Sequence, residues 1–516
     1  MKNKSILLIG IITIFMVSFE GISGNKINSF RRKHVPLKSA YTWTDPVNIS
    51  NSAIHSWGPV VAANSEGKAY VVWVEESQAK RIYFSTNEDG TWEKAVKVSG
   101  NLKIDEGPVP SLFVDKKGIA HIAFAARVST YEIFYNYYQN GKLKNNLNVS
   151  DTRNGGSVYQ SIVVDNANQF IYLVWQDDQN APSGAAAYWE IMLSYKDPDK
   201  THWSYIDIIP TVTNRAYTPE ITIDGKGAAH VAWINRSQAN NSIVWYSYNP
   251  EPTDETKWSN PVAVSEGTGI DFCFPKIDSD NNGNVYIVWE NKSKGNKEIF
   301  FRQKINGEWK EITNFSDTST PSEQPTIAVD KETGDIYVAW AENIGNWEIF
   351  LKSYEDGQWS EAINLSNNSS ISGNPSLWVD EQGGVHLVYA DNFKGPYEVM
   401  YRYRAGKRRL LPPVNLGLET KINRILFHDE KINTLRWEKN PENEQNPSIT
   451  IIKYSVYRKE VGQDDEAYQE IYTTPDANTF EYQDRNLSLN KKYAYTVTAW
   501  DQNGNESEKP EPVSEE

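Results

Sequence analysis

A single cysteine, Cys273, stands among 516 residues. No internal disulfide can form, so an exported chain of this composition has to be held by its core. No histidine lies within about 25 residues of Cys273, which leaves a Cys–His nucleophile without a partner nearby in sequence. The thiol reads as a small buried hydrophobe. Basic residues are also short: 52 Lys and Arg stand against 67 Asp and Glu, for a net charge of -15. With no cationic surplus to neutralise phosphates, nucleic acid is not an expected partner, and neither is an anionic membrane surface. Long apolar runs are missing after the N-terminus, so no membrane insertion is expected. The one early run, Ile6 to Phe19, follows Lys2 and Lys4 and precedes Ser23 and Gly24. This is the pattern of a secretory signal peptide over residues 1–24, with 25–40 as a flexible leader. The mature chain is expected to be secreted, or to sit in the periplasm or on the cell surface. Metalloprotease, phosphate-loop, dinucleotide and nucleophile-elbow motifs are absent, and no cofactor is expected.

Aromatic residues, in contrast, are plentiful at 12%, with 18 Trp and 29 Tyr. Many sit in a repeat. The frame PTIAVDKETGDIYVAW from Pro325 recurs from Pro59, Pro110, Gln160, Pro219, Pro275 and Pro375. Five residues after each start stands Asn64, Asp115, Asp165, Asp224, Asp280, Asp330 or Asp380. Each frame ends on Trp73, Phe124, Trp175, Trp233, Trp289, Trp340 or Tyr389. Two alternating β-branched runs split by a polar turn predict a hairpin. A third run follows in every copy. A fourth follows in six, where an aromatic residue (Leu143 in one) lies seven positions before a closing Ser or Pro. The missing fourth run is at the front of the chain, where Trp43 to Ser50 has the same spacing. The expected fold is all-β: a seven-bladed β-propeller over 41–411, its last blade closed by the N-terminal strand.

In such blades the first-to-second and third-to-fourth turns share one face. The second-to-third loops and the blade connections share the other, where function is expected. Repetition also explains several tempting patterns. DSDNNG at 278–283 begins like a calcium loop, but position twelve is Trp289 instead of a bidentate Glu. His121, His230 and His386 occupy the strand site held elsewhere by Tyr70, Tyr172, Tyr286 and Tyr337, so no metal site is expected of them.

STNEDGTW, Ser85 to Trp92, is similar to the Asp-box of sialidase-like, BNR-repeat propellers, with Asn87 at the Asp position and Asp89 at the Gly position. The box is a turn and does not locate catalysis. Sialidases proper have six blades and an arginine triad. Seven copies and no recognisable first arginine motif leave those catalytic residues without counterparts here. Near the C-terminus, LSLNKKYAYTVTAWDQNGNES from Leu487 resembles the sixth strand and following turn of a fibronectin type III domain. The resemblance implies a seven-stranded immunoglobulin-like β-sandwich over 412–514 with Tyr493 at its corner, a module that mostly serves as spacer or adhesive platform.

Candidate site residues are those that break the repeat. The loop 177–190 is longer than its counterparts and brings Tyr188 and Trp189. The blade connections bring His55, Trp57, Asp105, Glu106, Arg215, Tyr217, Asp271 and Phe272 to one channel mouth. Trp347 completes the binding candidates: the repeat explains it least. Beside a third reading, as a structural surface or assembly component, two functions compete. In one, the chain is a monomeric, non-catalytic binding or adhesion protein for an extracellular glycan or protein. In the other, it is a carbohydrate-active enzyme. A hydrolase would draw on Asp105 or Glu106 with Asp271. A lyase would use Tyr217 or His55 as base and Arg215 against a uronate.

Overall fold

Each repeat frame forms the first two strands of an antiparallel sheet in the computed structural model. The structure describes residues 42–515 except 77–78, 105–108, 153–154, 183–187, 205, 239–240, 271–272, 293–294, 394, 407–409, 426–427, 446–448, 503 and 505. Two compact units divide the chain near residue 410.

In the larger unit the described residues make seven antiparallel sheets, each a blade. Blade 1 runs Ser56–Ala63, Ala69–Glu75, Arg81–Thr86 and Val96–Lys97. The first strands of blades 2 to 7 are Ser111–Val114, Ser157–Val164, Ala216–Ile223, Lys276–Ser279, Ser322–Val329 and Ser372–Val379. Each first strand packs against those of its two neighbours, and Ser56–Ala63 packs against Ser372–Val379, so the array closes as a β-propeller. The outer strand of blade 7 is Val47–Asn48, which pairs with Tyr401 and Met400. Ile49 N–H donates to Val399 at 2.9 Å, and Thr44 N–H donates to Tyr403 at 2.8 Å. The N-terminal strand supplies the fourth strand that blade 7 lacks, and ring closure protects the end blades that a linear array would expose.

The second strands are buried on both faces, and Trp73, Trp175, Trp233, Trp289 and Trp340 are fully enclosed between blades. Polar capacity inside this layer is met by the turns. Asn64 and the six turn aspartates each accept backbone N–H bonds from residues two and three or four positions on, as Asp380 does from Gln382 at 2.8 Å and Gly384 at 2.7 Å. This is the local chemistry that makes Asp and Asn turn residues. In blades 2, 4 and 7 the aspartate also holds a buried histidine, and the other ring nitrogen meets a tyrosine. His386 lies 3.0 Å from Asp380 and 2.9 Å from Tyr401, and His121 and His230 repeat the arrangement. Asp280 likewise serves its turn and the Tyr286 hydroxyl. Asn87, at the Asp position of the box-like turn, takes the Ala69 N–H at 2.6 Å and ties that turn to the second strand.

The described residues from Leu410 onward form a two-sheet sandwich. Val414–Ile425, His428–Glu438 and Glu481–Leu487 make one sheet; Gln469–Thr473, Ile451–Glu460, Tyr493–Asp501 and Val513–Ser514 make the other. Trp437 packs edge-on against Tyr454, with ring centroids 5.8 Å apart, in the core between them. Tyr493 is buried, with Lys431 and Arg458 over its ring. On the same strand the Tyr495 phenol donates to Asp484 and accepts from Asn433, both at 2.9 Å.

Candidate functional site

The loop face is shaped by a break in the first strand. Pairing with the second strand slips between Trp57 and Val60, Val158 and Ser161, Tyr217 and Glu220, Glu323 and Thr326, and Gly373 and Ser376. Bulges of this kind re-aim side chains at the rims of closed sheets. In six of the seven blades the residue just before the frame start takes a left-handed backbone: Gly58 (φ 59°), Tyr159 (57°), Thr218 (50°), Phe274 (37°), Gln324 (57°) and Asn374 (52°), with Val109 of blade 2 the exception. Side chains from the neighbouring blade hold this conformation. Thr218 N–H donates to Gln176 at 2.9 Å, Gln324 N–H to Glu290 at 2.8 Å, and Asn374 N–H to Gln324 Oε1 at 2.7 Å.

Between blades 6 and 7 this geometry opens a cleft of about 200 Å³, lined by Glu323, Gln324, Trp347, Ile371, Gly373, Asn374 and Tyr397. Trp347 is half-buried at the start of the third strand of blade 6. Tyr397 is fixed by its N–H, which donates to His55 Nδ1 at 3.0 Å, and by its ring, 5.7 Å from that of His55. Glu323 is paired with Lys297 at 3.1 Å, and Lys297 also reaches Glu290 at 3.2 Å. Burial raises the Glu290 carboxyl above the usual range against the pull of Lys297. Burial works against charge on Lys297 too, but Glu290 and Glu323 outweigh it and raise its pKa.

The central channel holds a cavity of about 820 Å³ lined by the first strands. Lys276 pairs with Glu220 and Lys331 with Asp278 inside it, and Phe113 meets Trp378 edge-on at 5.1 Å. Of the carboxylates that line it, Glu220 and Asp278 are thereby paired with lysines.

The sequence candidates fall into separate groups. His55 is exposed and belongs to the blade 6–7 cleft through Tyr397. Trp57 is half-buried beneath Lys80, 5.3 Å from its ring. Tyr188 donates to Glu190 at 3.1 Å. Trp189 bridges the Arg215 backbone, and its ring lies 6.3 Å from that of Tyr217. Tyr217 is 4% exposed and packs in the core of blades 4 and 5 with Cys273, whose thiol pKa burial raises. Arg215 is exposed. Asp105, Glu106, Asp271 and Phe272 lie outside the described residues. Tyr397, Glu323, Gln324, Tyr159 and Phe274 are additions from the structure. For Gln324, Tyr159 and Phe274 the signal in sequence is the position before each frame start, which reads Gly, Val, Tyr, Thr, Phe, Gln, Asn and differs in every copy.

No family model matches the chain, and no curated protein matches it. Solved structures do resemble it. The polysaccharide lyase Uly1 matches at 10% identity over 73% of this chain and 94% of that one, with a TM-score of 0.47. A polysaccharide lyase of the PL25 ulvan lyase family matches at 13% identity over 70% and 96%, with 0.46. The intramolecular trans-sialidase from Ruminococcus gnavus matches at 12% identity over 70% and 96%, with 0.39. At these TM-scores the likenesses assign no activity to this chain.

Proposed function

We propose that this chain is an exported glycan-binding protein that uses the loop face of its propeller without cleaving what it binds. The observation that carries this reading is the blade 6–7 cleft, where Trp347 and Tyr397 stand beside Glu323, Gln324 and Asn374. Aromatic faces stack on the C–H surfaces of sugar rings, and planar amide and carboxylate groups hydrogen-bond their hydroxyls. At about 200 Å³ the cleft is smaller than the roughly 300–1,000 Å³ of a typical small-molecule site and suits one ring of a ligand. Export rests on the sequence of residues 1–24. The C-terminal sandwich is read as a fibronectin type III spacer, supported by its three-plus-four strand order and by Trp437 in its core. No helix among the described residues is long and apolar enough to cross a membrane.

A glycan array, followed by product analysis on every hit, tests the proposal. Binding that falls in Trp347→Ala, with the glycan recovered intact, is the expected result. Shortened products from the wild-type protein would make it an enzyme instead. Hits indifferent to Trp347→Ala would remove the cleft from the account.

A further inference from the structure

The position before the frame start, left-handed in six of the seven blades, places unlike side chains on one ring of equivalent sites. A non-glycine residue there costs on the order of 1–3 kcal/mol, and bulky side chains are the least suited to it. Glycine takes the conformation freely and asparagine at little cost. Blades 1 and 7 follow that preference with Gly58 and Asn374. Gly58 has a packing reason as well, since a Cβ there would stand 2.4 Å from Val109 Cγ1. Blades 3 and 5 do the opposite and hold Tyr159 and Phe274. Folding alone does not call for large rings at a strained site that glycine and asparagine fill elsewhere in the same molecule.

The two rings find each other across the intervening blade, with centroids 6.4 Å apart and planes tilted by 43°. Phe274 is 41% exposed and Tyr159 half-buried, so both retain surface toward solvent. Gln324 and Asn374 occupy the same position in blades 6 and 7, and there they line the Trp347–Tyr397 cleft. One rim therefore carries the cleft on one side and an aromatic pair on another.

We infer that Tyr159 and Phe274 form a second sugar-stacking position, and that the ligand is a chain of several sugar residues, not a single terminal sugar. This rests on the glycan-binding reading above. A monosaccharide fills one position only. A chain that engages both gains the second contact at high effective concentration.

The test is a calorimetric ladder from monosaccharides to hexasaccharides, prepared as neutral glucan, xylan and mannan series and as uronate series from alginate and pectin. The wild-type protein should bind hexasaccharides of at least one series about tenfold or more tightly than disaccharides. Tyr159→Asn and Phe274→Asn should each remove about a tenfold share of hexasaccharide affinity and leave disaccharide affinity unchanged. They should also melt at or above the wild-type temperature, because asparagine accepts the backbone conformation. Trp347→Ala should weaken short and long chains alike. Equal affinity for disaccharides and hexasaccharides in the wild type overturns the inference while leaving the glycan reading intact, and this comparison needs no variant to fold. Asn variants that melt lower and bind hexasaccharides normally also overturn it, by showing that the rings serve packing. Absence of binding at every length and in every series overturns the inference together with the reading beneath it.

Discussion

Two positions of opposite character stand six places apart, flanking the first run of each frame. At the inner end of the turn stands an acceptor: Asn64 or the aspartates 115, 165, 224, 280, 330 and 380. At the loop-face end stand Gly58, Val109, Tyr159, Thr218, Phe274, Gln324 and Asn374. The turn position accepts backbone N–H bonds in every blade, and in three of them it also supports an Asp–His–Tyr chain. The loop-face position shares a backbone conformation in six blades, but its side chains range from glycine to aromatic rings and amides. In a closed ring the turn solves one folding problem seven times, so selection for folding repeats it. A ligand that approaches one mouth meets the blades unequally, so selection for recognition makes them differ.

The largest expected effect belongs to the repeated end. Asp380→Ala strands two backbone N–H groups and His386 in a buried site, and should cost about 3 kcal/mol in chemical denaturation. Glycan affinity of the folded fraction should stay at the wild-type value. A variant that loses binding without losing stability would break the comparison.

An effect of similar size but different pH dependence is expected at Arg404. Its guanidinium grips Glu355 with two bonds, at 3.0 and 2.9 Å, and reaches the Tyr337 hydroxyl at 2.8 Å, linking blades 6 and 7. Burial pushes the Glu355 carboxyl up, but the Arg404 bonds prevail and its pKa falls from 4.5 to about 2. A carboxyl depressed on folding stabilises the protein above its unfolded pKa. That contribution is lost as pH falls from 4.5 toward about 2. Arg404→Ala should cost about 3 kcal/mol near neutral pH, and the gap from wild type in melting temperature should narrow through that window. A gap that stays constant with pH would mean the pair contributes through packing alone.

The smallest effect is expected for His230→Tyr, because Tyr70, Tyr172, Tyr286 and Tyr337 fill the same site in other blades. Tyr286 shows that a hydroxyl there can serve the turn aspartate, at 3.2 Å. The change should be about 1 kcal/mol or less. Burial lowers the His230 pKa below 6.5 despite Asp224, so the histidine costs stability as pH falls below 6.5. The tyrosine variant should lose that acid sensitivity. A variant that melts with the same slope below pH 6.5 would leave His230 without a part in it.

Much of this architecture was legible in the sequence because it repeats. Asp330 has a turn counterpart five residues into every frame, Trp340 has an aromatic counterpart at the end of each, and alternation alone marks the strands. Trp43 to Ser50 announced ring closure by sharing the aromatic-to-serine spacing of the fourth strands. The site was less legible because it lies where copies differ, and difference alone names no partner. Trp347 stood out, but its cleft is made by Tyr397 and by Gln324 and Asn374, which reach it through a bulge that periodicity does not show. Tyr217 read as a mouth residue because it lies in a blade connection. The slip in pairing between Tyr217 and Glu220 accompanies its burial in the core.

Titration of Trp347→Ala with the glycan that the wild-type protein binds most tightly tests the central claim most directly, with the melting temperature recorded on the same sample. The account predicts affinity reduced by about tenfold or more, at a melting temperature close to wild type. Unchanged affinity in a folded Trp347→Ala protein would contradict it.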